Sequence, residues 1–173
     1  MSLVQPSFPI VLNSFNGSNS LTAATSTLCA GTNFQTGQMA VGNRFRFTAN
    51  IQKTAAGTQV WSLNLRYGST NTNADASIFS ITSGTNTAVA DKGQIMIDVF
   101  INSIAASGAI DTLFINRAFL NASNVGLGTL GTGTTTSANT IDTTQTAYYF
   151  GLYVTAGVGS VMTSTVGLAE RWS

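Results

Sequence analysis

The sequence predicts an all-β protein, a single jelly-roll-like β-sandwich of about eight antiparallel strands with an extended N-terminal arm. Three observations carry this prediction. Thr, Ser, Asn and Gly dominate the 173 residues, while helix formers such as Glu and Lys are nearly absent. Apolar and polar residues alternate with period two along much of the chain, and no helical period is convincing. Clusters of Gly, Asn and Ser separate the alternating runs as turns do. The charged fraction is only 8%, yet 43% of residues are hydrophobic, with ten Phe and two Trp, so the chain can build a core. Its length suits one core, and the expected division is an arm over 1–13 and a sandwich over 14–173.

The arm combines Pro6 and Pro9 with Phe8, Ile10, Val11 and Leu12, a composition for extended chain. It either lies on a neighbouring subunit or forms an edge strand of its own domain. Asn16-Gly17 reads as a turn, followed by a polar stretch leading to Leu28 and Cys29. Over 42–52, Phe45, Phe47, Ala49 and Ile51 share one face and Arg44, Arg46, Thr48, Asn50 and Gln52 the other. The same period places Trp61, Leu63, Leu65 and Tyr67 together over 60–67. Shorter strands are expected at 38–41 and 78–82.

The clearest strand spans 94–102, with Ile95, Ile97, Val99 and Ile101 on one face and Met96, Asp98 and Phe100 opposite; Asp98 should pair with a neighbouring arginine. After a turn at Ser107-Gly108, residues 112–121 are apolar on both faces, as in a doubly buried strand, with Phe114 and Leu120 on one and Leu113, Ile115 and Phe119 on the other. The Gly- and Thr-rich stretch 125–146 is expected to be a loop. Strands over 147–155 and 160–169 close the fold before Glu170, Arg171 and Trp172. A jelly roll is the preferred topology. An immunoglobulin-like sandwich fits the same pattern, because strand order is not written in periodicity.

A net charge of +1 from seven basic and six acidic residues cannot cover a polyanion, so nucleic acid is not an expected partner. So low a surface charge points instead to surfaces covered by other subunits. The first twelve residues lack the basic start of a signal peptide, and no apolar run reaches the roughly 20 residues of a membrane helix, so the expectation is a soluble product made in the cytoplasm. Cys29, the only cysteine, should act as a small buried hydrophobe.

Histidine is absent, which removes His-based acid–base catalysis, Ser-His-Asp and Cys-His arrangements, and His-containing zinc sites. The carboxylates are scattered along the chain, which argues against a glycosidase-type acid pair. Gly126, Gly128 and Gly131 match G-x-G-x-x-G but open no helix. Asn71, Asn73 and Asp75 alternate like calcium ligands, without the glycine and terminal glutamate of that loop. Sequons at Asn16 and Asn121 are near chance in this composition. Tyr148, Tyr149 and Tyr153, with Trp61 and Trp172, have the rings to stack on sugars, though core packing and interface burial together are the favoured explanation. No catalytic residue, cofactor or metal is expected.

The stretch Ala40-Val41-Gly42-Asn43-Arg44-Phe45-Arg46-Phe47-Thr48-Ala49, with Trp61-Ser62-Leu63-Asn64-Leu65-Arg66-Tyr67-Gly68, resembles a pattern in tailed-bacteriophage virion proteins. There a Val-Gly-Asp-like turn opens an alternating strand and an Arg-x-Gly-like turn ends a second one. Asn43 stands where an aspartate is common, and the likeness covers residues 38–68. It implies a capsid decoration (cement) protein, often trimeric, which binds between major capsid subunits in the virion and stabilises the head. A related tail or fibre module with a receptor- or glycan-binding tip is the alternative. On the first reading, the assembly contacts are Phe8, Ile10, Val11 and Trp172, and the partners are the major capsid protein, other virion proteins and further copies of the chain.

Overall fold

The computed structural model describes residues 9–21, 23, 25–55, 57–84, 87–118 and 140–173, with the backbone alone for 114–118. Their regular structure is all strand: β1 (Ile10–Leu21), β2 (Thr27–Leu28), β3 (Phe34–Gln35), β4 (Arg44–Lys53), β5 (Ser62–Gly68), β6 (Ala76–Thr82), β7 (Asp91–Ile101), β8 (Gly108–Ala118), β9 (Thr140–Ile141), β10 (Tyr149–Thr155) and β11 (Met162–Trp172). One sheet runs β1-β11-β4-β7-β8-β9, the other β2-β10-β5-β6, with β3 also on β10. The pairs nest. β1 joins β11, β2 and β3 join β10, β4 joins β7, and β5 joins β6, all antiparallel. This is a long hairpin rolled on itself, the jelly-roll order, with β8 and β9 added beyond β7.

The alternation predicted for β4 and β5 is largely the alternation of burial, whereas in β7 Met96 and Asp98 of the opposite face are buried as well. Phe45, Phe47, Ala49, Ile51, Leu63, Leu65, Ile97 and Val99 are buried between the sheets. Phe150 of β10 sits among rings from both layers, with centroids 5.7, 5.4, 5.6 and 4.9 Å from those of Phe34, Phe45, Phe47 and Tyr67. Such offset and tilted contacts add to the burial of the rings.

Several local expectations give way to tertiary pairing. Residues 10–13 follow the second of the two expectations for that segment and begin β1 at the sheet's edge, so the expected boundary at Asn13 falls inside a strand. Asn16-Gly17 is not a hairpin turn. It lies within β1, where the register against β11 shifts between Asn16 and Asn19, and the bulge absorbs the irregularity. Residues 38–41 form no strand. Gly37 and Gly42 take positive φ, and Asn43 bonds back to Ala40 through both its amide N–H and its Oδ1, which closes a turn instead. β8 starts earlier than predicted, at Gly108, and β11 continues through Trp172. Phe119, Leu120, the glycines at 126, 128 and 131, the Asn121 sequon and the 125–139 part of the expected loop lie outside the described residues.

Between β2 and β3 the chain leaves β10 and crosses toward the other sheet. Gly31, at φ +80, packs on the Phe15 backbone and the Gly167 carbonyl, and a Cβ at Gly167 would fall on the Ala30 carbonyl. Asn13 and Asn19 of β1 complete this side by donating to the carbonyls of Asn33, at 2.6 Å, and Leu28, at 2.8 Å. Cys29 is enclosed here, and burial pushes its thiol up to about 12. The thiol therefore favours folding below the ordinary cysteine range, and that contribution fades as pH rises toward 12. Iodoacetamide is expected to leave native Cys29 unmodified at mildly alkaline pH and to alkylate it once guanidinium unfolds the chain; mass spectrometry reads both states. Rapid native labelling would show that this corner opens.

Candidate assembly surfaces

Among the described residues no three His, Cys, Asp or Glu side chains come together as a metal or acid–base cluster would. Several carboxylates hold backbone or neighbouring side chains in place. Asp75 accepts from the Thr70 amide at 3.0 Å, the Thr70 hydroxyl at 2.7 Å and the Thr72 amide at 3.2 Å. Burial pushes its pKa up, but these hydrogen bonds outweigh it and hold the carboxyl below its ordinary value. The alternation of Asn71, Asn73 and Asp75 is thus the β5–β6 turn, with the Asp75 oxygens engaged inside it. Asp142 similarly accepts from Thr144 and Gln145, and Asp111 from Asn102.

Of the predicted contacts, Val11 and Trp172 share the outward face because β1 and β11 run antiparallel at the sheet's edge, whereas Ile10, in the row of Arg171, Phe45 and Val99, falls on the inward face at the sheet's end. Ile10 lies opposite Arg171, Val11 opposite Glu170, and Trp172 opposite Arg44 of β4. Directly opposed residues share a face. The outward face therefore carries one row of Val11, Glu170, Arg46 and Asp98, and a second of Trp172, Arg44, Phe100 and Asp111. Ile10 and Val11 are each 56% exposed. Phe8 lies outside the described residues.

The cations at this end of the sheet differ in their surroundings, Arg44 and Arg46 lying in the outward rows and Arg171 in the inward row of Phe45. Arg46 grips Asp98 with two hydrogen bonds, at 2.7 and 2.8 Å, as the sequence pattern anticipates for Asp98. The bond raises the arginine's pKa further. Arg44 instead lies 4.4 Å above the Trp172 ring, and Arg171 lies 5.9 Å from the Phe45 ring. Neither has a carboxylate partner, since Arg46–Asp98 is the one ion pair among the described residues. The Nε atoms of Arg44 and Arg171 and the Trp172 Nε1 are buried donors with no acceptor among the described residues. Exposed aliphatics beside Trp and Arg, with hydrogen-bonding capacity unspent, match the composition of interface hot spots. Sequence reasoning finds the apolar members of this patch and misses Arg44 and Arg171, whose lack of a partner is visible only in the folded register.

The tyrosines expected as a sugar platform are mostly committed to packing. Tyr67 and Tyr148 pack with ring centroids 5.3 Å apart at a tilt of 53°, and the Tyr67 hydroxyl donates to the Asp142 carbonyl. Tyr153 lies along the outer sheet face against the space a Gly151 side chain would fill, with Arg66 6.0 Å from its ring. The strongly exposed large apolar residues among those described are all Val or Ile. The chain was compared with protein-family models and with curated proteins, and neither comparison finds a match.

Proposed function

We propose that this jelly roll is a non-enzymatic structural protein of a bacteriophage virion, a decoration or cement protein that binds between major capsid subunits and stabilises the head. The observation that carries this reading is the terminal patch, where exposed Val11 shares the outward face with the Trp172–Arg44 stack, and exposed Ile10 adjoins it at the sheet's edge. The 8% charged fraction supports it, because a surface covered by neighbours needs few charges to stay soluble. The absence of histidine from the sequence, and of clustered carboxylates among the described residues, is compatible with a protein that works by buried area. Its partners on this reading are the major capsid protein and further copies of itself, a trimer being favoured.

Co-sedimentation with capsids assembled from the major head protein tests the proposal. Wild-type chain should pellet with capsids. Trp172→Ala should weaken binding about 30-fold, the equivalent of roughly 2 kcal/mol for loss of a hot-spot side chain. A chain that stays in the supernatant but binds host-cell envelopes would overturn the reading in favour of a receptor- or glycan-binding tip.

A further inference from the structure

Asn-Gly occurs once in the chain, at Asn16-Gly17, and it falls in the least regular part of the edge strand β1. Asn16 lies opposite Val166 and Asn19 opposite Ser164, so Gly17 and Ser18 face the single Thr165 of β11. Thr165 in turn has no counterpart in β4, where Asn50 lies opposite Val166 and Ile51 opposite Ser164. Two bulges therefore meet at this point, and a bulge leaves its extra residue outside the ladder. Asn16, Gly17 and Ser18 are all exposed.

The Asn16 side chain is unrestrained as well. Three other asparagines precede a small residue, serine, and each has its amide held: Asn13 donates to the Asn33 carbonyl at 2.6 Å, Asn19 to the Leu28 carbonyl at 2.8 Å and Asn102 to Asp111 at 2.8 Å. Among the described residues no such bond holds Asn16. Beside Gly17 the nearest atoms to the place of a side chain belong to the Phe15 ring, at 2.9 Å.

We propose that Asn16 is a site of spontaneous covalent modification, where the side chain deamidates through a cyclic imide closed by the backbone of Gly17. The Gly17 amide nitrogen loses its proton and bonds to the Asn16 Cγ, and the side-chain nitrogen leaves as ammonia, protonated by water. A water molecule then adds to one of the two imide carbonyls and opens the ring, giving aspartate or isoaspartate. Water is the only co-reactant. Closure requires the nitrogen to swing onto the side chain. Glycine has no Cβ to obstruct that approach, and the bulge interrupts the pairing that holds backbone amides in a regular ladder.

The same bulge governs what the product does. Isoaspartate adds one methylene to the main chain. Within a regular strand a shift of register turns side chains to the wrong face. Here the insertion falls where the register is already broken, so the pairs Ser14–Leu168 and Asn19–Ser164 on either side are retained. Either product places a carboxylate on the exposed edge and takes the formal net charge from +1 to zero. Charge on an edge strand opposes its pairing with another chain. This inference is independent of the assembly reading above.

Incubation of the folded chain in mildly alkaline buffer tests it, with peptide mapping by mass spectrometry and an isoaspartyl-specific methyltransferase as the probes. Asn16 should convert before any other asparagine, with isoaspartate among the products. Gly17→Ala should slow conversion about tenfold, because a Cβ then obstructs the attacking nitrogen. Gly17 lies outside the left-handed region, and the alanine needs only a shift of the Phe15 ring, so circular dichroism should show the variant folded. The converted protein, separated by ion exchange, should keep the wild-type spectrum. Conversion of Asn16 only after guanidinium unfolds the chain would overturn the proposal, and so would earlier reaction at another asparagine. An undiminished rate in Gly17→Ala would exclude the imide route, and a converted protein that is unfolded would show that the bulge does not absorb the insertion.

Discussion

Phe150→Ala should destabilise the fold by about 4 kcal/mol, the cost expected when a large buried ring is removed from a core that relaxes only partly. Phe150 has no exposed surface and touches rings from both sheets: Phe45 and Phe47 of β4 on one side, Tyr67 of β5 on the other. Its loss opens a void where the two layers are held together, and rigid ladders on either side prevent them from closing over it. Phe150→Leu keeps most of the volume and should cost about 1 kcal/mol. Guanidinium unfolding of both variants measures this. A cost below about 1 kcal/mol for the alanine variant would show that the sheets slide together and that the aromatic cluster is not what joins them.

Arg46→Ala should cost about 3 kcal/mol, because it strands a carboxylate that the sheet has removed from water. The Asp98 side chain is 3% exposed although it lies on the outward face, while that of Arg46 is 26% exposed and provides both hydrogen bonds. The partial exposure of the arginine places the effect at the lower end of the range for broken buried pairs. Replacing both partners, as Arg46→Met with Asp98→Leu, should restore most of the stability, since two apolar side chains need no compensating charge. Urea unfolding of the single and double variants separates the two cases. Equal losses in both would mean that the pair contributes packing rather than charge compensation.

The strands that were legible in the sequence are those whose two faces differ. Phe45, Phe47, Ala49 and Ile51 alternate with polar residues, and so do Leu63 and Leu65, because one face of each strand meets the core and the other meets solvent. β1 carries no such pattern. From Asn13 to Ser20 it is polar on both faces, apart from Phe15, and it is a strand because β11 offers it partners on either side of the bulge. β2 and β3 are too short to show any period and are interrupted where Ala30 and Gly31 cross toward the other sheet. The candidate surfaces divide in the same way. Ile10, Val11 and Trp172 stand out as apolar residues near chain ends. The exposed Val60, Val89, Val158 and Val161 lie in connections between strands, the last two in the same one, each ordinary by itself. No local signal in the sequence marks them.

The nested ladder also dictates the order in which the molecule can be made. β5 and β6 are joined by a short turn and can pair as soon as both exist, but Ile10 cannot find Arg171 until nearly every intervening strand has been synthesised. Long-range closure of this kind is slow, placing such β domains in the millisecond-to-second range. During that wait β1 and β11 are the last partners to dock, and their unpaired backbones stand open to other chains emerging nearby. A fold that ends by joining its most distant segments leaves its own edge as the final vulnerability of biosynthesis.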